Sequence, residues 1–354
     1  MVKKKILITG NEALAEGAIQ AGCLFYAGYP ITPQNELIAC MSKRMIEMGR
    51  VFIQAESELA AINMVYGASA AGARSMTSSS SPGVSLKQEG ISYLAGAELP
   101  CVIVNIMRGG PGLGNIAPAQ SDYFQATRGG GHGDYRCIVL SPSSVQEAYE
   151  HMFKAFDLAD KYRIPVIVLG DGMLGQMMEP LIIKPTNHES QTKNQKPWAL
   201  TGCKGRKPNV VKSFFMAEGD LEKFNLKLQD KYREIENKEA RYEGLFLDQA
   251  QELIMVAYGS MARIAKQALL NLRDKKLKAG FIRPITLWPF PKEIFGQVVR
   301  KNPKVKFLVL EMSYGQMVED VKLAVNGRAV VEFLGRSGGG ILSEDEIIKY
   351  AKSI

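Results

Sequence analysis

Cys101-Val102-Ile103-Val104-Asn105-Ile106-Met107-Arg108-Gly109-Gly110-Pro111-Gly112-Leu113-Gly114 is the stretch that decides the fold. A nearly continuous apolar run that ends on an arginine and a cluster of glycines reads as a strand of a parallel sheet covered by helices on both faces. The same phrase recurs on either side. Residues 51–54 and 165–169 are short apolar runs, and residues 59–73 and 145–161 carry helical spacing. The opening MVKKKILITG reads as a first strand, because its lysines precede only a short apolar run with no small-residue cleavage site. Alternation of this kind through the first 185 residues predicts an α/β, doubly wound domain.

Beyond residue 185 the composition shifts. Residues 186–248 are polar, with Pro197 and Pro208, and read as a connector. Within it Leu221, Phe224, Leu228, Tyr232 and Ile235 recur on one side of an otherwise charged helix. Strand-like runs resume at 252–258, 280–285 and 306–311, and a helix is predicted from near Gln316. Residues 249–354 therefore read as a second, smaller α/β domain.

Composition narrows the function classes. The chain has 354 residues, 46% of them hydrophobic and 23% charged, the balance of an ordinary globular protein. No apolar run approaches the roughly 20 residues of a membrane span, so a cytoplasmic location is expected. Five scattered cysteines with no Cys-x-x-Cys pair, and three histidines, argue against a disulfide framework or a metal or iron–sulfur site on this chain. The charge of +8 comes without interleaved aromatics, so nucleic acid is not an expected partner.

Five motifs sit where strands are expected to end. Tyr29-Pro30-Ile31-Thr32-Pro33 is a loop stiffened by two prolines, which presents the Thr32 hydroxyl in a defined direction. Gln54-Ala55-Glu56-Ser57-Glu58 opens a helix with an unusually small-sided continuation, Gly67 to Ala73. A glutamate there is ordinarily a partner of the helix dipole, and at the mouth of such a helix it is also a candidate acid–base group. Arg108 before its glycines suits clamping of a carboxylate or phosphate, although a surface turn explains the glycines alone. Thr77-Ser78-Ser79-Ser80-Ser81-Pro82-Gly83 and Gly129-Gly130-Gly131-His132-Gly133-Asp134 add two hydroxyl- or glycine-rich loops. Together they favour one ligand crevice over independent turns. A rival reading, a nucleotide-binding module, would need a Gly-x-Gly-x-x-Gly that opens a helix, and residues 109–114 depart from it.

In combination these motifs, with the later Arg283-Pro284-Ile285-Thr286-Leu287-Trp288-Pro289-Phe290-Pro291, resemble the alpha subunit of 2-oxoacid:ferredoxin oxidoreductases over essentially the whole chain. The resemblance is closest to the 2-oxoisovalerate (3-methyl-2-oxobutanoate) type, with a 2-oxoglutarate or other 2-oxoacid enzyme as the alternative. It implies a transketolase-like, thiamine-diphosphate pyrimidine-binding domain (1–185) and a transketolase-C-terminal-like domain (249–354). It further implies thiamine diphosphate shared with a beta subunit that carries Mg2+, with [4Fe-4S] clusters on partner chains. Gamma and ferredoxin-like subunits, ferredoxin, coenzyme A and the 2-oxoacid complete the expected partners.

Residue by residue, the resemblance implies a glutamate on N1′ of the aminopyrimidine. Glu56 and Glu58 both fit, and the register to Gly67, nine residues beyond Glu58, selects Glu58 with Glu56 as its neighbour. Two close carboxylates would raise each other's proton affinity. Thr32 and Arg108 are implied to face the substrate, and Tyr29, Pro30, Ser79 and Ser80 the cofactor. Gly170-Asp171-Gly172 looks like the start of a magnesium–diphosphate motif, which needs an asparagine further on. Asn194 is near the required distance but lies in the polar connector, so residues 170–172 read as a strand-end turn.

Overall fold

The structure is a computed structural model that describes residues 5–183, 196–250 and 252–354. Asn194 and the start of the connector lie outside the described residues. Strand β1 (Lys5–Thr9) runs into helix α1 (Gly10–Gln20), and Thr9 and Glu12 close a reciprocal capping box at the junction. β1 pairs antiparallel with β8 (Met178–Ile182) as a separate two-stranded sheet, outside the main one.

The main sheet is built from β2 (Phe25–Gly28), β3 (Val51–Gln54), β4 (Ser75–Ser79), β5 (Cys101–Met107), β6 (Ile138–Leu140) and β7 (Pro165–Asp171), all parallel. The intervening helices are α2 (Asn35–Glu47), α3 (Glu58–Ala70), α4 (Ser81–Leu86), α5 (Gln88–Gly96), α6 (Tyr123–Thr127) and α7 (Val145–Tyr162), with α8 (Gly172–Gln176) after β7. Every residue of β5 and β7 is buried, which is why both strands are apolar on consecutive positions and do not alternate. The spatial order of these strands is β6-β7-β5-β4-β2-β3. The chain leaves β2 toward β3 on one side and β4 toward β5 on the other, so the sheet's switch point lies at the carboxyl ends of β2 and β4.

The remaining elements are α9 (Asp220–Glu239), β9 (Tyr242–Leu245), β10 (Leu253–Val256), α10 (Gly259–Asp274), β11 (Ala279–Pro284), β12 (Thr286–Trp288), α11 (Lys292–Lys301), β13 (Lys306–Glu311), α12 (Met317–Val325), β14 (Val331–Gly335) and α13 (Glu344–Ala351). A second sheet runs β14-β13-β10-β11-β9, parallel except at β9. β12 leaves that sheet and pairs antiparallel with β6, closing the edge of the first.

Among the polar ties that join the halves, three are largely buried. The Arg283 guanidinium is buried and forks onto both carboxylate oxygens of Glu147, at 2.8 and 2.6 Å, while its Nε donates to Glu243 at 2.7 Å. The buried Gln120 side chain donates to the Tyr258 carbonyl and accepts from the Met312 N–H. Asp171 accepts from the Ser260 hydroxyl at 2.8 Å. Helix α9 buries Leu228, Tyr232 and Ile235 in the same hydrophobic core as β5 and β7, with about 1.5–3 kcal/mol of apolar burial for each aliphatic side chain. Leu221, predicted on the same side, stays 50% exposed, in the first turn of the helix.

Candidate active site

Four of the five motif loops leave the carboxyl ends of neighbouring strands at the switch point. Below the loop that follows β2, a buried chain of hydrogen bonds sets the floor. The Tyr26 hydroxyl pairs with Ser78 Oγ at 2.6 Å, and Ser78 pairs with the Gln34 amide oxygen at 2.7 Å. Asn11 donates to the Pro33 carbonyl at 2.8 Å and secures the loop from α1. Thr32 is half-buried, with its hydroxyl accepting from Asn35, whereas Tyr29 and Pro30 are exposed.

Arg108, the residue after β5, is 7% exposed. One terminal nitrogen donates to the Thr32 carbonyl at 3.0 Å and the other to the Leu113 carbonyl at 3.1 Å. Its Nε is buried without a partner, and Arg108 forms no salt bridge among the described residues. A buried cation satisfied only by carbonyl dipoles keeps unspent capacity for an anion. The glycines after it return the chain through Asn115 N–H to Gly109 carbonyl (2.9 Å) to a bridge between Arg108 and Pro118. They open no helix, so the loop is not a dinucleotide-binding turn.

Glu58 is the first residue of α3, whose N-cap Ser57 accepts from the Ala60 N–H at 3.2 Å. Glu58 is 6% exposed, while Glu56 is exposed and accepts from Ser57 Oγ. Burial therefore distinguishes the two carboxylates. Glu58 and Ser79 converge over Gly83 at the start of α4. A Cβ there would lie 2.5 Å from Glu58 Oε1 and 2.1 Å from Ser79 Oγ, so only glycine leaves them room. The hydroxyls of Ser79 and Ser80 are buried with no partner. A carboxylate, two unsatisfied hydroxyls and a glycine floor fit a small heteroaromatic ring that both donates and accepts hydrogen bonds, as an aminopyrimidine does.

Three groups here, Asn105 and Lys87 buried and Asp122 half-buried, carry no signature in the sequence. Asn105 and Asp122 flank Ser81: Ser81 Oγ meets Asp122 at 2.6 Å, and Asn105 donates to it at 2.9 Å. Burial raises the Asp122 pKa, and these two hydrogen bonds only partly offset it. Lys87, between α4 and α5, is the third. Only the fold reveals that it turns inward. The loop of residues 129–136 lies elsewhere, tied to α5 through Ser92 Oγ to the His132 carbonyl at 2.6 Å, and makes no hydrogen bond to Thr32 or Arg108.

Asp171 caps α8 through the Met173 and Leu174 N–H groups, both at 3.0 Å, and reaches Ser260. Burial pushes its pKa up, and those hydrogen bonds work against the rise. With its acceptor capacity spent on helix starts, Asp171 has a structural task. No group of three or more His, Cys, Asp or Glu among the described residues could hold a metal, and no described helix is long and apolar enough to cross a membrane.

Comparison with known proteins meets this geometry. Residues 16–237 match the family described as "Pyruvate flavodoxin/ferredoxin oxidoreductase, thiamine diP-bdg", and residues 251–347 match "Pyruvate:ferredoxin oxidoreductase core domain II". The chain is 50% identical over 350 residues to the ketoisovalerate oxidoreductase subunit VorB of Methanothermobacter marburgensis, covering 98% of this chain and 97% of that one. It is 36% identical over 359 residues to the 2-oxoglutarate synthase subunit KorA of Methanocaldococcus jannaschii, covering 96% of each. Among solved structures it resembles the 2-oxoglutarate:ferredoxin oxidoreductase of Magnetococcus marinus, with a TM-score of 0.87 and 28% identity over 99% of this chain, and it spans 65% of that longer chain. A split-gene transketolase shares the fold, with a TM-score of 0.59 at 13% identity and 98% of this chain covered. The chain thus belongs to the 2-oxoacid:ferredoxin oxidoreductases, as a subunit bearing their thiamine-diphosphate-binding domain.

Proposed function

We propose that this chain is the alpha subunit of a branched-chain 2-oxoacid:ferredoxin oxidoreductase, converting 2-oxoisovalerate and coenzyme A to the acyl-CoA and CO2 with reduction of ferredoxin. The observation that supports the substrate is the gap in similarity: 49–50% identity to two ketoisovalerate oxidoreductase subunits against 36–40% to four 2-oxoglutarate synthase subunits. Residues 1–185 form the pyrimidine-binding half in this reading, 186–248 a connector and 249–354 the transketolase-C-terminal-like part.

The beta subunit supplies Mg2+ and the diphosphate site, [4Fe-4S] clusters sit on partner chains, and gamma and ferredoxin-like subunits complete the assembly. Thiamine diphosphate, when bound, supplies the electron sink for decarboxylation. Glu58 would share a proton with the pyrimidine ring nitrogen. Ser79 and Ser80 border the ring, and Tyr29, Pro30 and Glu56 line the mouth. Arg108 and Thr32 hold the 2-oxoacid end, which fixes the carbonyl carbon before attack.

The test is a substrate panel on the complex reassembled from purified subunits, with a viologen dye as acceptor. 2-Oxoisovalerate is expected to give the highest kcat/KM, and the isolated chain no turnover. A preference for 2-oxoglutarate overturns the substrate assignment. Full activity from the chain alone overturns the shared site.

A further inference from the structure

Ser81 opens α4, directly after Ser80 and just before the Gly83 floor, and it meets Arg108 at the end of β5. The Arg108 N–H donates to Ser81 Oγ at 3.0 Å, and Ser81 Oγ lies 2.6 Å from an Asp122 carboxylate oxygen. The Ser81 N–H donates to the Asn105 side-chain oxygen at 3.2 Å, so the Asn105 amide nitrogen faces the same Asp122 oxygen, at 2.9 Å. Chemistry fixes the direction of every bond in this ring. A main-chain N–H only donates and a carboxylate only accepts, so the Ser81 proton points at Asp122 and its lone pair is left for Arg108. Without that carboxylate, an alternative acceptor for the proton is the Arg108 carbonyl at 3.4 Å, a longer and weaker bond. Asp122 precedes the first residue of α6, where an aspartate ordinarily caps the helix, yet its side chain makes no cap bond there. Its acceptor capacity goes to Ser81 and Asn105 instead. Gln120, in the same segment, is locked to the second half through Tyr258 and Met312, so the carboxylate is presented from a fixed base.

We propose that Asp122 is a positioning residue for the reaction: through the Ser81 hydroxyl it fixes the floor under the cofactor ring to the arginine that holds the 2-oxoacid. The inference rests on the roles given above to Glu58, Ser79 and Arg108. Each ligand keeps its own contacts when this link is cut, but the spacing between them is no longer set. Attack on a carbonyl carbon is sensitive to that spacing, since a misplacement of about 1 Å costs on the order of 100-fold in rate. The link therefore acts on turnover of the bound complex more than on the binding of either ligand.

The experiment uses the assembled complex, with kcat and KM for 2-oxoisovalerate and thiamine diphosphate affinity by calorimetry. Asp122→Ala and Ser81→Ala are each expected to lower kcat about 10- to 100-fold, while KM and cofactor affinity change less than about threefold. Because both cut one link, the double variant is expected to be no slower than either single one. Asp122→Asn keeps a side-chain oxygen for both donors and should recover most of the wild-type kcat. Effects that multiply in the double variant overturn the proposal, as does a wild-type kcat in Asp122→Ala, or an Asp122→Asn variant as slow as Asp122→Ala. If Asp122→Ala does not assemble, Ser81→Ala carries the test, since it removes the link and keeps the carboxylate: a lowered kcat at unchanged KM supports the proposal, and an unchanged kcat overturns it. Failure of both to assemble also overturns it, since the link would then serve the fold. Arg108→Lys and Glu58→Gln in the same assays separate the two layers. If either matches wild type, the reading of the site falls and this inference with it; if both are impaired and the Asp122 and Ser81 effects multiply or vanish, only this inference falls.

Discussion

Arg108 donates to the carbonyl of Thr32 at 3.0 Å across 76 residues of sequence. The bond joins the loop after β2 to the end of β5, over the switch point of the sheet. The second donation, to Leu113, curls the glycine loop back over the same guanidinium. Lysine could not serve both carbonyls and a substrate carboxylate, because an ammonium lacks the planar fork. A charge-assisted hydrogen bond contributes about 1.5–3 kcal/mol, so Arg108→Lys is expected to raise KM for the 2-oxoacid roughly 10- to 100-fold, with a smaller change in kcat. Steady-state kinetics of the reassembled complex check this.

Glu58 and Glu56 are expected to part in the same assay. Glu58→Gln should abolish turnover while the complex still assembles on a sizing column. Glu56→Gln, at an exposed position, should leave most of it. The reverse outcome would place the acid–base carboxylate two residues earlier.

Gly83→Ala tests the floor of the site. The added methyl would fall within 2.5 Å of Glu58 Oε1 and closer still to Ser79 Oγ. Both must move, so thiamine diphosphate affinity is expected to fall at least about tenfold, with a stability loss of about 1–3 kcal/mol for overpacking. Calorimetric titration of the cofactor and a denaturant melt measure the two effects.

Acid should loosen the joint between the halves. Burial lowers the His151 pKa from 6.5 to about 4, despite the opposing pull of Glu147. The unfolded chain thus binds a proton there that the folded one refuses, and stability declines as pH falls from about 6.5 toward 4. Glu147 adds a second loss. Burial alone would raise its pKa, but the Arg283 hydrogen bonds and charge bring it down to about 2. That stability is present above the unfolded value of 4.5 and lost as pH drops toward 2. Thermal melts across this range should show both steps, and His151→Leu should flatten the first.

The strands were legible because burial on both faces leaves an unmistakable mark. Residues 101–107 and 306–311 form strands with those bounds, and so do residues 51–54, although that edge strand is exposed at both ends. The helix after residue 144 and the α9 face of Leu228, Tyr232 and Ile235 were legible from spacing alone. The loops after β2, β3, β4 and β5 could be placed at one sheet edge because glycine, proline and serine gather where strands end. The partners of each side chain could not be read. Nothing in Val84-Ser85-Leu86-Lys87 marks a lysine that turns inward, since lysine at a helix junction is ordinarily solvated. Gly67, among the small residues of α3, faces open space, where a Cβ would meet nothing within 4 Å. Nor does residue 171 announce a task. An aspartate that caps two helix starts and one that begins a metal motif have the same neighbours in sequence.

Strand β12 gives the chain an order of events. Its three residues close the β6 edge, and Trp288 at its end stands edge-on to Tyr232 of α9 at 5.8 Å. During synthesis, the first sheet therefore has an open, hydrogen-bond-hungry border until most of the polypeptide has left the ribosome. Such a border is a template for other nascent chains. A fragment ending before Thr286 would keep it permanently, so residues 1–185 expressed alone should be prone to aggregation however complete their motifs.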